Sequence, residues 1–315
     1  PSTGSSLSDT SFAILFLRKA NLGSDITRLL QGEPLEPFQI ISQESRPRFL
    51  KLEDAVKAAK AGDVIQVDSS RPIDAPHIRI DKTLTLTAGP GYSPVFRYDI
   101  GFDDRGRRSD PKIDPSARYL FGVTSGTLTL EGFRLQLDPP KTAGTVPWIG
   151  VSAEGGNVRL LNCSVAEGSR QGFAAVSMSA PGSVELRNCM LIGGRAAVEV
   201  TTNGQQQILA ENTILFSNTG IVVKPGKQPG ENLQLNLNRC AVQAEKILDF
   251  SKVTTPIEIS SEGVAYMGDE MGLGFLTSKL GKDGRSWTGN HNLYDLKKWI
   301  EIGRASCRER VCSVV

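Results

Sequence analysis

Carboxylates are the residues of this sequence whose type and spacing are best suited to catalysis. Enzymes that cleave polysaccharides use two carboxyl groups close together, or a calcium site beside a base. Glu199 lies in the alternating stretch AAVEV, and Asp103 and Asp104 precede Arg105 and Arg107 in a strongly charged stretch. These three carboxylates are therefore the candidate catalytic residues, and the chemistry they suggest is lyase or hydrolase chemistry on a glycan.

Aromatic and basic side chains mark two candidate binding surfaces. Residues 97–118 hold six basic and five acidic residues and interrupt the pattern around them, so they predict a projecting loop. The second surface is the aromatic cluster WTGNHNLYDLKKW at 287–299, which is suited to a cap, another coil or a sugar-stacking surface. The candidate binding residues are Tyr98, Arg105, Arg107, Trp287 and Tyr294.

The sequence lacks the usual motifs for catalysis or metal binding by histidine and cysteine and for phosphate binding. The chain has only two histidines, His77 and His291, and it contains no HExxH, CxxC or P-loop motif. We therefore expect no metal site and no cofactor, with calcium at Asp103 and Asp104 as the alternative.

Composition limits the partners. The 315 residues include 36 Lys+Arg and 34 Asp+Glu, so there is no field of one sign to attract nucleic acid or an anionic membrane. The apolar run from Phe12 to Leu17 is far shorter than the roughly 20 residues that span a bilayer. We expect neither a nucleic-acid partner nor a membrane span in this chain.

Two interleaved repeats indicate the elements that must position these residues. The first recurs as LTLEGFRL, VRLLNCSV, VELRNCML, ILAENTIL and LQLNLNRCAV, and it aligns on Gly132, Asn162, Asn188, Asn212 and Arg239. The second recurs as YLFGVTSG, PWIGVSAEG, FAAVSMSA, AAVEVTT and GIVVKPG, and it aligns on Val123, Val151, Val176, Val198 and Val222. Both series repeat about every 25 residues, and short alternating strands separated by Gly, Pro, Asn and Ser fill each unit.

This pattern predicts an all-β fold, a right-handed parallel β-helix in which each coil stacks on the next. Asn tolerates the left-handed backbone of a sharp bend, so Asn162, Asn188 and Asn212 are expected to stack as a hydrogen-bonded ladder. Cys163, Cys189 and Cys240 follow these bends and are expected to point inward as small apolar fillers rather than form disulfides; the compartment stays open. A leucine-rich repeat is the alternative, since its period overlaps.

The second series also predicts which residues face outward. If its valines point inward, then the next residue along each strand points out. These outward residues are Thr124, Ser152, Ser177, Glu199 and Val223. One carboxylate in five coils does not make an acid pair, so the row argues against a hydrolase.

A helix is predicted at 52–61, because Leu52, Ala55, Val56 and Ala59 form one apolar face. It is expected to cap the first coil and to cover the unpaired strand edge. The stretch KLEDAVKAAKAGDVIQV at 51–67 resembles the opening of pectin-lyase-like right-handed β-helix domains. That resemblance implies the β-helix over residues 47–265 and leaves the activity open, because the fold hosts many functions.

The ends of the chain are interpreted separately. Residues 1–46 are expected to be a linker or part of an upstream segment, and 266–300 a cap or the start of a truncated C-terminal segment. The pattern W-x-G-x-x-N-L-Y-D resembles a segment after the β-helix in large multidomain bacterial proteins, some of which carry an upstream Ser/Thr kinase. Residues 301–315 include EIGRASCRERVC, which resembles a translated DNA-sequencing adapter, so we expect them to be an artefact.

The function expected from these observations is a non-catalytic scaffold that presents loops to a polysaccharide, protein or cell-envelope partner. The resemblance leaves a polysaccharide lyase or glycoside hydrolase as the alternative. A third interpretation is the sensor or interaction region of a larger signalling protein. A cell-envelope or extracytoplasmic location is favoured.

Overall fold

The chain folds as a parallel β-solenoid of about 7 turns. The computed structural model describes residues 36–98, 118–137, 148–167, 173–226, 230–250, 253–273 and 285–298. Its strands alternate between buried and exposed residues, as in Arg134–Leu137 and Ile257–Glu262. This two-residue period places one row of apolar side chains inside each coil, and stacking of the coils joins these rows into a single continuous core.

Each coil has three faces. Face 1 is a sheet whose parallel strands are β3 (Val64–Val67), β6 (Leu84–Ala88), β9 (Thr127–Glu131), β12 (Asn157–Leu161), β15 (Gly182–Arg187), β18 (Gly204–Glu211), β20 (Gly230–Asn238), β22 (Ile257–Glu262) and β24 (Arg285–Asn290). Its outer surface is polar, and salt bridges cross it from coil to coil, for example between Arg159 and Glu185 with an Nε–Oε2 distance of 2.7 Å.

Faces 2 and 3 belong to a second sheet that bends around a corner. Face 2 begins with β4 (Pro72–Ala75), β7 (Val95–Tyr98), β10 (Arg134–Leu137), β13 (Ser164–Glu167) and β16 (Met190–Ile192). Face 3 begins with β5 (Ile78–Ile80), β8 (Tyr119–Val123), β11 (Trp148–Ala153), β14 (Phe173–Met178) and β17 (Ala196–Thr201). The longer strands β19 (Ile214–Lys224), β21 (Ala241–Asp249) and β23 (Ala265–Leu273) run through both faces, and β25 (Leu293–Lys298) extends face 2.

A hairpin and the predicted helix precede the first coil. Strand β1 (Phe38–Ile40) pairs antiparallel with β3 and with β2 (Arg48–Phe49), so it continues the edge of face 1. Helix α1 (Leu52–Ala58) packs against β1 and β2 and buries Leu52, Ala55 and Val56. The helix is three residues shorter than predicted because Ala59 is already extended, with ψ of 144°.

The corner between faces 1 and 2 is built from the asparagine ladder, which confirms the prediction. Asn162, Asn188 and Asn212 have φ of 54°, 52° and 48°, in the left-handed region that asparagine tolerates. The Nδ2 of Asn188 donates to Oδ1 of Asn162 at 3.0 Å, and Nδ2 of Asn212 donates to Oδ1 of Asn188 at 2.8 Å. We call this edge of the solenoid the asparagine corner.

Behind the asparagine corner lies the predicted row of cysteines, and the three are free thiols. Cys163, Cys189 and Cys240 are each less than 5% exposed and donate to backbone carbonyls of the preceding coil, as Cys189 Sγ does to Leu160 O at 3.2 Å. Burial raises the pKa of Cys163 to about 11 and of Cys189 to about 12. These thiols therefore stay protonated and act as small core side chains.

The predicted register of the second series is right in the middle and wrong at both ends. Val151, Val176 and Val198 do stack, and they continue through Ile221 rather than Val222. At the other end Val151 pairs with Phe121 rather than with Val123. Alignment on valine failed there because Phe and Ile fill the same inward position as well as valine does.

The asparagine corner gives a test of the fold. Asn188→Ala should lower the free energy of unfolding by about 1–3 kcal/mol, because it removes two side-chain hydrogen bonds and forces alanine into the left-handed region. Asn188→Gly, which keeps the backbone conformation accessible, should lose less. Urea titration measures both, and equal losses would show that the backbone conformation contributes nothing.

The thiol row gives a second test. Because burial raises their pKa, Cys163 and Cys189 should resist iodoacetamide at pH 8 in the native chain and react in guanidinium chloride. The unfolded thiols ionise near the ordinary cysteine pKa of 9.0, so their contribution to stability is complete below that pH and is lost as the pH rises toward about 11 for Cys163. Peptide mass spectrometry scores each thiol, and native labelling of Cys189 would contradict the burial.

Candidate functional site

The number of residues that connect face 2 to face 3 differs from coil to coil, and we call this corner the loop corner. The connection is residues 76–77 between β4 and β5, 99–118 between β7 and β8, 138–147 between β10 and β11, 168–172 between β13 and β14, and 193–195 between β16 and β17. In the next coil there is no connection, because β19 runs through the corner as one strand. From β7 onward the connections therefore become shorter along the chain, and the two longest belong to adjacent coils.

An aromatic and basic cluster lies at the strand ends that the two longest connections join. The rings of Tyr98 and Trp148 meet edge to face with centroids 5.6 Å apart, and the Arg118 guanidinium lies 4.4 Å from the centre of the Trp148 ring. Beside it, the rings of Tyr119 and His77 meet edge to face with centroids 6.2 Å apart. Tyr98 and Trp148 are 6% and 2% exposed, so they are part of the core at this corner.

The outward row of face 3 is unusual because it is buried. Ser152, Ser177 and Glu199 stack in adjacent coils, and they are 3%, 7% and 6% exposed. The corrected register continues this row through Val222 to Asp249. The row thus holds a second carboxylate, Asp249, two coils beyond Glu199, which the alignment of the repeats had missed.

Glu199 is held by two cations. Its Oε1 accepts from Nζ of Lys224 at 2.6 Å, and its Oε2 forms an ion pair with Nη2 of Arg195. Burial lowers the pKa of Arg195; it also lowers the pKa of Lys224, which the positive charge of Arg195 lowers further. A carboxylate between two cations is stabilised in its charged form, so it is poorly suited to act as a general acid.

The other sequence candidates are not part of the row that the structure describes. Asp103, Asp104, Arg105 and Arg107 fall outside the described residues. At the C-terminal end Tyr294 stacks on Tyr266 with centroids 5.2 Å apart.

Trp287 also contacts Tyr266. Its ring meets Tyr266 edge to face at 5.8 Å, and its Nε1 donates to Ser261 Oγ at 3.0 Å. Trp287 and Tyr294 are therefore brought together as half-buried packing around Tyr266. Tyr98 is far from them, because it lies on β7 and β25 is the seventh strand after β7 on face 2.

Two shallow grooves run along the other corners. A groove of about 630 Å³ follows the asparagine corner and includes Asn188, Met190 and Ile214 in its lining. A second groove of about 560 Å³ follows the corner between faces 3 and 1, where Gly156, Asn157 and Gln206 are among the lining residues. Both grooves are lined by residues that turn the chain, so they arise from the solenoid itself.

Within the described ranges, no group of three or more His, Cys, Asp and Glu side chains converges as a metal site would. In the same ranges the chain has no helix with the length and apolar character needed to cross a membrane.

Several site residues were missed by sequence reasoning. Arg195 precedes Glu199 by four residues, and a strand would have placed them apart; they meet because the chain turns the loop corner between them. Asp249 was missed because the second series was aligned on Val222, whereas the inward residue of that coil is Ile221, so the outward row runs one residue earlier than predicted, through Val222 to Asp249.

Comparison with known proteins returned no match, either to a protein-family model or to a curated protein.

The ion pairs of Glu199 give a stability prediction. Glu199→Gln should lower the free energy of unfolding by about 1–3 kcal/mol, because two half-buried cations lose their counter-charge. The matched control is Asp74→Asn, which breaks an exposed pair with Arg97 and should cost less than about 1 kcal/mol. Denaturant titration compares the two, and equal losses would contradict a structural role for Glu199.

Proposed function

We propose that this chain is a non-catalytic β-solenoid scaffold that presents the loops of the loop corner to a polysaccharide, protein or cell-envelope partner. The observation that supports the proposal is the aromatic and basic cluster of Tyr98, Arg118 and Trp148 at the loop corner, at the strand ends joined by the two longest connections. A rigid stack of coils holds such loops at spacings of about 4.8 Å, and this is how solenoids build extended binding surfaces.

The chemistry of the longest loop favours a polar ligand. Residues 99–118 carry Arg105 and Arg107 beside Asp103 and Asp104, so they offer both hydrogen-bond donors and acceptors. Glycans and peptides present the matching groups. Balanced charges in this loop, and in the chain as a whole, disfavour a nucleic acid.

Glu199 supports the scaffold over the enzyme. It is buried, and it connects Arg195 at the end of one corner with Lys224 in the next coil. Its contacts are those of a residue that ties adjacent coils together.

The second candidate function is a polysaccharide lyase or glycoside hydrolase, and the observation that favours it is Asp249. It lies two coils from Glu199, roughly 9.6 Å at the usual strand spacing, close to the separation of the two acids in inverting glycosidases. The resemblance of residues 51–67 to the opening of pectin-lyase-like right-handed β-helices implies the same activity. From the same resemblance we infer that the solenoid is right-handed. We also infer that it is part of a larger envelope protein.

A binding assay tests the scaffold. The full chain should co-sediment with one of a set of insoluble polysaccharides or peptidoglycan sacculi. The double variant Arg105→Ser, Arg107→Ser should bind at least about tenfold more weakly, because charged side chains give the strongest hydrogen bonds to polar ligands. Arg159→Ser, on the outer surface of face 1, is the matched control and should bind normally. Equal binding by all three, or none by the full chain, contradicts a glycan or envelope partner.

The same preparations decide between scaffold and enzyme. We expect no unsaturated or reducing sugar from pectate, alginate or any glycan that binds, with or without Ca²⁺. Product release that is abolished by both Glu199→Gln and Asp249→Asn would establish the hydrolase or lyase instead. Thermal melts confirm that each variant is folded at the assay temperature.

A further inference from the structure

The outer surface of face 2 is apolar in its central part. Met190, Ile214, Phe216 and Leu293 are four of the large hydrophobic side chains that are at least 40% exposed among the described residues. They belong to two outward rows that run along the solenoid. The first row is Arg134, Ser164, Met190, Ile214, Ala241, Ala265 and Leu293, and the second is Gln136, Ala166, Ile192, Phe216, Gln243, Met267 and Asp295.

The central part of these rows is free of charge. Arg134 lies on β10 and Asp295 on β25, and the five coils between them carry no ionisable residue in either row. Upstream of Arg134 the two rows continue on β7 with Val95 and Arg97. Face 1 differs, because its outer surface carries salt bridges such as Arg187 to Glu185. Contiguous apolar surface with a polar border is typical of an interaction site rather than of ordinary solvent-exposed sheet.

The order of side chains along the rows fits a second copy of the same surface. Of the seven face 2 strands from β10 to β25, the middle one holds Ile214 and Phe216. A two-fold axis parallel to this strand reverses the order of the coils in the second copy, so that the coils before the strand lie opposite the coils after it. The large Met190 then lies opposite the small Ala241 of the other copy, and the small Ala166 lies opposite Met267. Ile214 and Phe216, on the axis, each lie opposite the same residue of the other copy.

The same rotation brings the charged ends together. Arg134 of one copy comes opposite the end of the partner copy that holds Leu293 and Asp295. Two residues along a strand span about 6.6 Å, which the long arginine side chain covers. Each interface would therefore have two symmetric Arg–Asp pairs at its rim and an apolar centre, which is the usual arrangement of protein interfaces.

We propose that face 2 is a self-association surface through which two copies of this chain pack with antiparallel solenoid axes. Seven strands about 4.8 Å apart and about 13 Å long cover roughly 400 Å² per copy. The total of roughly 800 Å² is below the 1,200–2,000 Å² or so of stable complexes, so the dimer is weak and reversible. Self-association would bring the loop corners of two solenoids into one bivalent particle.

Sedimentation velocity on the full chain, from micromolar to millimolar concentration, tests the proposal. The measurements include a reductant because Cys307 and Cys312 could otherwise cross-link the chains. The sedimentation coefficient should rise with concentration toward that of a dimer. Ile214→Glu should weaken association at least about tenfold, because it places two carboxylates face to face across the two-fold axis. Leu50→Glu, at a site 66% exposed and away from face 2, is the matched control and should associate normally.

Charge exchange tests the antiparallel arrangement itself. Arg134→Asp and Asp295→Arg should each weaken the dimer, and the double variant should recover most of the loss because it restores opposite charges across the interface. Since all these positions are exposed, the melting temperatures should stay unchanged. A chain that remains monomeric throughout, normal association by Ile214→Glu, or a double variant no better than the singles would each overturn the proposal.

Discussion

The turn from face 1 to face 2 is the constraint on which the rest of the molecule depends. In coil after coil it is made by a residue with positive φ, and these residues are Gly132, Asn162, Asn188, Asn212, Arg239, Gly263 and His291. The backbone N–H of each of the first six donates to a carbonyl at the end of the next face 1 strand, as Asn162 N does to Arg187 O at 2.9 Å. One repeated backbone conformation therefore sets where seven successive coils, from Gly132 to His291, bend and how each is aligned with the next.

The asparagine corner also explains residues that would otherwise suggest chemistry. His291 has φ of 53° and occupies the last of these turns, so one of the two histidines has a conformational role. The cysteines follow the turns and fill the core just behind them. A cysteine is small enough to sit there, and burial in apolar surroundings keeps it protonated. Residues that look reactive in the sequence are thus part of the packing.

The loop corner has the opposite character. Face 2 passes to face 3 through connections that range from 20 residues at 99–118 to none in β19. Surface connections tolerate such variation in length, since lengthening a loop costs little free energy. Binding functions in this chain are therefore expected at the loop corner, while the asparagine corner maintains the register.

The sequence by itself determined the solenoid, the asparagine ladder and the inward cysteines, because each depends on a local pattern that repeats about every 25 residues. It also placed helix α1, although β1 is the element that pairs with the edge of face 1. The tertiary structure decided the outward rows, because moving the alignment of a coil by one residue exchanges its inward and outward positions. Asp249 joins the row of Glu199 because Ile221, and not Val222, is the inward residue of the coil between them. The ion pair of Glu199 with Arg195, and the apolar surface around Ile214, were likewise invisible in the sequence because they depend on how coils stack and corners turn.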